Sequence, residues 1–494
     1  MKKLGLVALM ALTAATPAIN LPGPQAISPD DRATGGKAHP DMLSEYGGAY
    51  SGPQSAMVRR VGLKVAGQSG ISNVERDFTF TLLNSPVENA FAIPGGYVYT
   101  TRALLALMNN EDELAFVLGH ETGHIAARHS AKRQQVAQRS TLLGALGQAV
   151  LGSVLGGGAM GQIGSQIGQA GINRLVVGHV MAYSRGEEFE ADDLGAVYMQ
   201  KAGYSPAYAS TMLSSLAAQT GLEANLAGNA RTTPGWAMSH PNPEARVTRA
   251  LARAREMGVG APAGSRANET FLLSLKGMIY DDDPEQGVIE GQTFTYTPDR
   301  LRFTVPGGYG MSNGSDAVTI SAKGSQVAGQ ARFTGAYKGN LNAALRAAFT
   351  AIAKDGQVGE IKGTPGTING LSTLSATARG SNGATAMDLT VVAIAVAPER
   401  AYAFTVIQPA GRGLGDLAPL VNGFRRITPA EAAAIRPHIV DVARVGPGDT
   451  VATMAARMAY TDNAAQRFLV LNGLSPETTR LTPGSMVKLV VWKR

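Results

Sequence analysis

The sequence predicts a multidomain protein: a mainly α-helical domain with a small sheet over residues 40–257, an α+β domain with an antiparallel sheet over 266–436, and a small βααβ module over 441–492. Three observations carry this. A chain of 494 residues is too long for one hydrophobic core. Helical periodicity dominates up to Met257, and the Gly-, Pro- and Ala-rich stretch Gly258 to Gly264 then reads as a linker. Beyond it the texture changes to short alternating strands.

The amino terminus, Met1-Lys2-Lys3 followed by an apolar run from Leu4 to about Ala15 and then small residues, has the pattern of an export signal over residues 1–18. The run is shorter than a bilayer-spanning helix, so cleavage at Ala14, Ala15 or Ala18 is expected rather than anchoring, and an exported, periplasmic location follows. The chain contains no cysteine, which excludes disulfides, lipidation at this signal and a thiolate metal site. Its 44 basic and 37 acidic residues leave a net charge of +7 with no dense Lys/Arg block. Nucleic acid is therefore not an expected partner, and only a weak, peripheral attraction to anionic wall or membrane surfaces follows.

Phe78 to Leu83 alternates apolar and polar residues as a strand does, and Asn89 to Tyr99 reads as a second strand region interrupted by a turn at Pro94-Gly95-Gly96. A helix is then predicted from Asn110: this residue caps it, Glu111, Asp112 and Glu113 enrich its first turn, and Leu114 to Leu118 is apolar throughout. That helix carries His120-Glu121-Thr122-Gly123-His124. Residues i and i+4 lie one above the other, so His120 and His124 can reach one metal ion. Glu121 stands beside that face, placed to take a proton from water at the metal. Two satisfied core histidines are the competing reading, and a third ligand decides between them. A metzincin would supply a histidine further along the same segment, but Ala127 and Ser130 occupy its required positions and His129 is one place off. A second helix offers Glu188-Phe189-Glu190-Ala191-Asp192. Glu188 is assigned as the third ligand, and Asp192, one turn later on the same face, as the acceptor that fixes a ligand imidazole's tautomer. One Zn2+ per chain, held by nitrogen and oxygen, is the expected cofactor.

These residues resemble metallopeptidase family forty-eight, which includes the HtpX-like and CAAX-prenyl-type zinc endopeptidases of the gluzincin kind. The resemblance spans roughly residues 40 to 257. It is carried by Asn89-Ala90-Phe91-Ala92 with Pro94-Gly95-Gly96, the His120 motif, Tyr183-Ser184-Arg185 leading into Glu188 and Ala191-Asp192, and His240-Pro241. It implies a zincin-type peptidase domain, zinc on His120, His124 and Glu188, and Glu121 as base. It also makes His240 a candidate for contacting the metal or the oxyanion. In such enzymes the strand at Asn89, Ala90, Phe91 and Ala92 borders the cleft, where an exposed edge could hold an extended peptide through its main chain.

Ser239-His240-Pro241-Asn242-Pro243 precedes a helix running to Met257, with Asn242 as cap and Pro243 in the first position. Helix-entry chemistry explains the prolines but not the histidine, which is given a catalytic or gating role. Arg185 could pair with Asp192 or Asp193. The segment Thr141 to Gly171 is apolar and glycine-rich. A mobile helical lid is the preferred reading, with membrane entry through residues 142–160 as the alternative.

Past the linker, strands are expected at Thr293–Tyr296, Leu301–Val305, Ala317–Ala322, Met387–Ala397 and Ala401–Ile407. Helices are expected near Leu341–Lys354 and Asp416–Arg426; a PsbP-like fold fits the pattern. The carboxyl end, with Val445-Gly446-Pro447-Gly448-Asp449-Thr450-Val451, Met454-Ala455, Leu471-Asn472-Gly473-Leu474 and Pro483-Gly484, is similar to a LysM module, which implies peptidoglycan binding. Pro447 departs from the usual pattern, so a structural cap is the competing reading. The expected whole is an exported zinc metalloendopeptidase acting on misfolded or extended envelope proteins, in protein quality control. The alternative is a gated or inactive peptidase serving as a chaperone or wall-binding scaffold.

Overall fold

The computed structural model describes residues 21–23, 25–130, 132, 183–227, 236, 240, 243–262, 267–314, 317–323, 329–351, 361–382 and 385–494. The expected export signal and the glycine-rich segment 141–171 lie outside these residues. Among the described residues no helix is long and apolar enough to cross a membrane.

The first domain is assembled from helices α1 (Pro29–Glu45), α2 (Gln54–Ala66), the single turn α3 (Val74–Asp77), α4 (Arg102–Leu107), α5 (Glu111–Ala126), α6 (Arg185–Lys201), α7 (Tyr208–Ala227) and α8 (Pro243–Glu256). Helix α5 starts where the Asn110 side chain accepts from the Glu113 amide at 2.9 Å, and its three acidic first-turn residues suit the positive end of the helix dipole. It is buried on nearly every side, from Glu113 to His124, so it forms the centre of the domain. Helix α6 begins with a capping box, Ser184 and Glu187 each bonding the other's backbone amide. The two helices cross at glycines. A Cβ on Gly195 would lie 2.8 Å from the His120 nitrogen, and one on Gly119 would lie 3.1 Å from the Gly195 oxygen. Only the absence of both side chains lets these backbones touch, and that contact sets the reach from the α5 histidines to the acidic residues of α6.

Strands β1 (Thr79–Leu83), β2 (Ala90–Ile93) and β3 (Tyr97–Thr101) form a sheet in the order β1-β3-β2, with β1 parallel and β2 antiparallel to β3. Strand β2 is therefore an edge. The turn joining it to β3 needs positive φ at Gly95 (90°) and Gly96 (87°), and a Cβ on Gly96 would strike the Asp77 carbonyl at 1.9 Å. Helix α1 lies across this turn, with Gly35 against the Pro94 carbonyl.

The second domain contains a seven-stranded antiparallel sheet in the order β10-β11-β12-β13-β9-β8-β7 and a four-stranded sheet in the order β14-β6-β5-β4. The larger sheet comprises β7 (Tyr309–Asn313), β8 (Ala317–Ala322), β9 (Gln330–Lys338), β10 (Thr364–Ile368), β11 (Leu371–Asn382), β12 (Thr385–Ala397) and β13 (Arg400–Pro409); the smaller one comprises β4 (Val288–Glu290), β5 (Thr293–Tyr296), β6 (Leu301–Thr304) and β14 (Arg425–Arg426). Where sequence pattern suggests one helix over 416–426, a 3-10 turn and a short helix end at Asn422, and Arg425–Arg426 pairs with β6 instead. Gly423 is where the helix stops.

At the carboxyl end β15 (His438–Arg444) and β16 (Met486–Trp492) pair antiparallel around helices at Val451–Ala455 and Ala464–Leu471, a βααβ order. This unit is fused to the first domain: Val440, Val442 and Val470 belong to the same core cluster as Leu114 and Leu118. Lys488 on β16 is fully buried, and its ammonium donates to the carbonyls of Ala106 and Met108, both at 2.6 Å. Those carbonyls lie at the carboxyl end of α4, just before α5 begins. Replacing Lys488 with Met keeps the aliphatic stem but leaves two buried acceptors without this donor. Unfolding free energy should fall by about 2–3 kcal/mol in denaturant melts, and the first domain and the βααβ unit should lose structure together.

Candidate metal centre

Four side chains from three segments converge at the α5–α6 crossing. His120 and His124 come from α5, Glu188 from α6, and His240, whose amide donates to the Trp236 carbonyl at 2.8 Å, from the segment before α8. Each offers one ligand atom, all within 4.8 Å of one another, and all four residues are buried. His124 Nε2 is 3.0 Å from His120 Nε2, and His240 Nδ1 is 3.2 Å from His120 Nε2. Glu188 Oε1 lies 3.5 Å from His124 Nε2 and 3.0 Å from His240 Nδ1. Imidazole nitrogens this close, turned toward a common centre, present lone pairs that a cation would satisfy. Three nitrogens and a carboxylate are a donor set that suits zinc.

The surroundings orient these groups. His120 Nδ1 is 2.9 Å from Asp192 Oδ1, and Asp192 is gripped by Arg246 on α8 through Nε (2.8 Å) and Nη2 (2.6 Å). Arg246 Nη1 also lies 2.7 Å from Glu188 Oε2. Burial alone would raise both carboxyls; the positive charges of His240 and Arg246 outweigh it at Glu188, and Arg246 outweighs it at Asp192, so both are held below the usual carboxylate range. Burial drives His124 well below the ordinary histidine value. His124 also stacks on Tyr183, ring centres 3.6 Å apart. Arg185 is exposed, and Asp193 pairs with Arg249 and Arg253 rather than with it.

Glu121 is fully buried, and among the described residues neither carboxylate oxygen has a hydrogen-bond partner. Burial raises its pKa, opposed in part by His240 and His120. A buried carboxylate that accepts no hydrogen bond is costly unless a ligand answers it. His240 Nε2 is 3.4 Å from Glu121 Oε1 and 3.2 Å from the Ala90 carbonyl. On β2, Asn89 accepts from the Thr101 amide, so the main-chain groups of Ala90 and Ala92 face away from β3, along an edge that no described strand pairs. The Ala90, Phe91 and Ala92 side chains are core, Phe91 stacking on Tyr99; Asn89 is buried at the head of the strand. What this strand offers the centre is backbone.

A model described as Peptidase family M48 matches residues 53–254. That match takes in 202 of the 494 residues, about two fifths of the chain. The chain is 32% identical to the β-barrel assembly-enhancing protease of Yersinia pestis over 215 residues, 43% of this chain and 42% of that one. It is 32% identical to the protein of that name from Escherichia coli K12 over 209 residues, 42% and 40% of the two chains. It is also 30% identical to the mitochondrial metalloendopeptidase OMA1 of Schizosaccharomyces pombe over 201 residues, 40% and 55% of the two chains. The chain thus spans less than half the length of the first two relatives. M48 metallopeptidases use zinc, in agreement with the buried His-His-Glu-His group.

Arg246 is the residue of this centre that motif reading overlooks. Its signal lies in complementarity: Arg246, Arg249 and Arg253 recur at helical spacing on α8, opposite Asp192-Asp193 on α6. Replacing Arg246 with Met strands two buried carboxylates, and the metal-free protein should lose about 3–5 kcal/mol in denaturant melts at neutral pH. Because the Asp192 and Glu188 pKa values are depressed on folding, that stabilisation is present above the unfolded carboxyl values of about 4 and is lost as pH falls. The difference between wild type and variant should therefore shrink in melts below about pH 4.

Proposed function

We propose that this chain is an exported zinc-dependent endopeptidase that hydrolyses peptide bonds of misfolded or extended envelope proteins. The observation that carries the reading is the buried carboxylate of Glu121, without a hydrogen-bond partner among the described residues, beside four convergent ligand atoms. His120, His124 and Glu188 hold the metal, and Asp192 fixes His120 through Nδ1. Bound zinc supplies Lewis acidity toward water and the peptide carbonyl. Glu121, its pKa raised by burial, takes the proton of the attacking water and passes it to the departing amine. An extended substrate adds to the free edge of β2 through main-chain bonds, which selects an unfolded segment before it selects a sequence. Two relatives are named for enhancing β-barrel assembly, which supports an envelope substrate. The LysM-like βααβ unit would bring the enzyme to peptidoglycan, and the basic net charge favours peripheral contact with anionic surfaces.

A gated form of the same enzyme is favoured by His240. Its Nδ1 takes the fourth position around the ligand cluster, where a hydrolytic site needs an opening, and its Nε2 occupies the Ala90 carbonyl that a substrate strand would use. Opening then requires substrate to displace His240 from both places.

Casein cleavage by zinc-loaded protein tests both readings. Glu121→Gln should lower the rate by at least about 100-fold with zinc content unchanged, and His240→Ala should cleave faster than wild type. If wild type and His240→Ala both hold zinc and both stay silent, the chain is a binding protein and not a protease.

A further inference from the structure

His129 plays no part in the chemistry above, yet it is fully buried and its Nδ1 lies 2.8 Å from His124 Nδ1. Its other nitrogen, Nε2, lies 3.2 Å from Glu190 Oε2 on α6, a carboxylate whose side chain is 45% exposed. Two facing ring nitrogens can share only one proton, and the position of that proton is fixed by what each ring does at its far side. His124 turns Nε2 toward His120 Nε2 and Glu188, so this nitrogen must keep its lone pair to bind a metal. Its proton therefore sits on Nδ1 and is donated to His129 Nδ1. A neutral His129 then carries its own proton on Nε2, which it donates to Glu190.

We propose that His129 is a positioning residue for the metal centre, the middle of a relay from Glu190 to His129 to His124 that sets the tautomer and ring orientation of the second histidine ligand. The proposal rests on His124 being a zinc ligand, as in the function proposed above. It makes the two ligand histidines unequal. His120 donates directly to a carboxylate clamped by arginine, whereas His124 donates to a neutral imidazole whose own partner reaches the surface. Glu190 lies two residues after Glu188 and two before Asp192, so one stretch of α6 supplies a ligand and the anchors for both histidines.

Zinc affinity, measured by competition with a chromogenic chelator, separates an acceptor at this position from mere packing. His129→Leu fills the space without an acceptor, while His129→Gln restores a carbonyl oxygen for the His124 proton. The leucine variant should bind zinc about 10- to 100-fold more weakly, and the glutamine variant should stay close to wild type. In zinc-loaded protein labelled with 15N-histidine, NMR should place the His124 proton on Nδ1, with faster exchange in His129→Leu. Wild-type affinity in the leucine variant would overturn the proposal. So would equal losses in both variants, which a packing role alone predicts. Zinc binding with these differences in a protein that cleaves nothing would leave the relay standing and remove only the peptidase reading.

Discussion

Everything at the metal centre depends on the backbone contact between α5 and α6. Gly119 and Gly195 meet where any side chain would collide, and Gly123 lies against Ala191 one turn further along. At this separation the short reach of a glutamate and of two imidazoles suffices to bring ligand atoms together. A methyl group at either crossing glycine would push the helices apart and move Glu188 away from His120 and His124. The glycine inside the His120 motif, at position 123, is thus a packing residue as much as part of a signature.

Bringing so many ionisable groups into one interior requires charge balance, and α8 supplies it. Arg246 serves Asp192 and Glu188 together, while Arg249 and Arg253 serve Asp193. Arg246 holds the Glu188 and Asp192 carboxyls below their usual range against the pull of burial, which keeps them available as ligand and acceptor. Helix α8 is therefore part of the centre although it contributes no ligand itself. The same segment leads in from His240, so helix position and the fourth ligand position are coupled through a few residues. On the opposite side, the buried ammonium of Lys488 ties the carboxyl-terminal βααβ unit to the end of α4, next to the start of α5.

Local chemistry was legible in the sequence, and long-range pairing was not. The cap at Asn110, the i, i+4 histidines and the strand flanking Pro94-Gly95-Gly96 are short-range patterns, and the structure has α5, β2 and β3 at those residues. Asp192 could be placed because it lies one helical turn from Glu188. Arg246 could not, because its partners are 54 residues or more away and single-residue spacing says nothing about which helix faces which. His129 fails the spacing of a metal ligand, and its contact with His124 depends on how the chain turns after Ala126. The Lys488 contact spans 382 residues, and no local pattern distinguishes a buried lysine from a solvated one.

A crystal structure of zinc-loaded protein, with the metal located by anomalous scattering at the zinc edge, tests the central claim most directly. Zinc should lie between His120 Nε2, His124 Nε2 and the Glu188 carboxylate at about 2.0–2.2 Å, with Asp192 still on His120 Nδ1. A zinc ion bound elsewhere, or one at this centre that leaves Glu188 paired only with Arg246, would contradict the assignment.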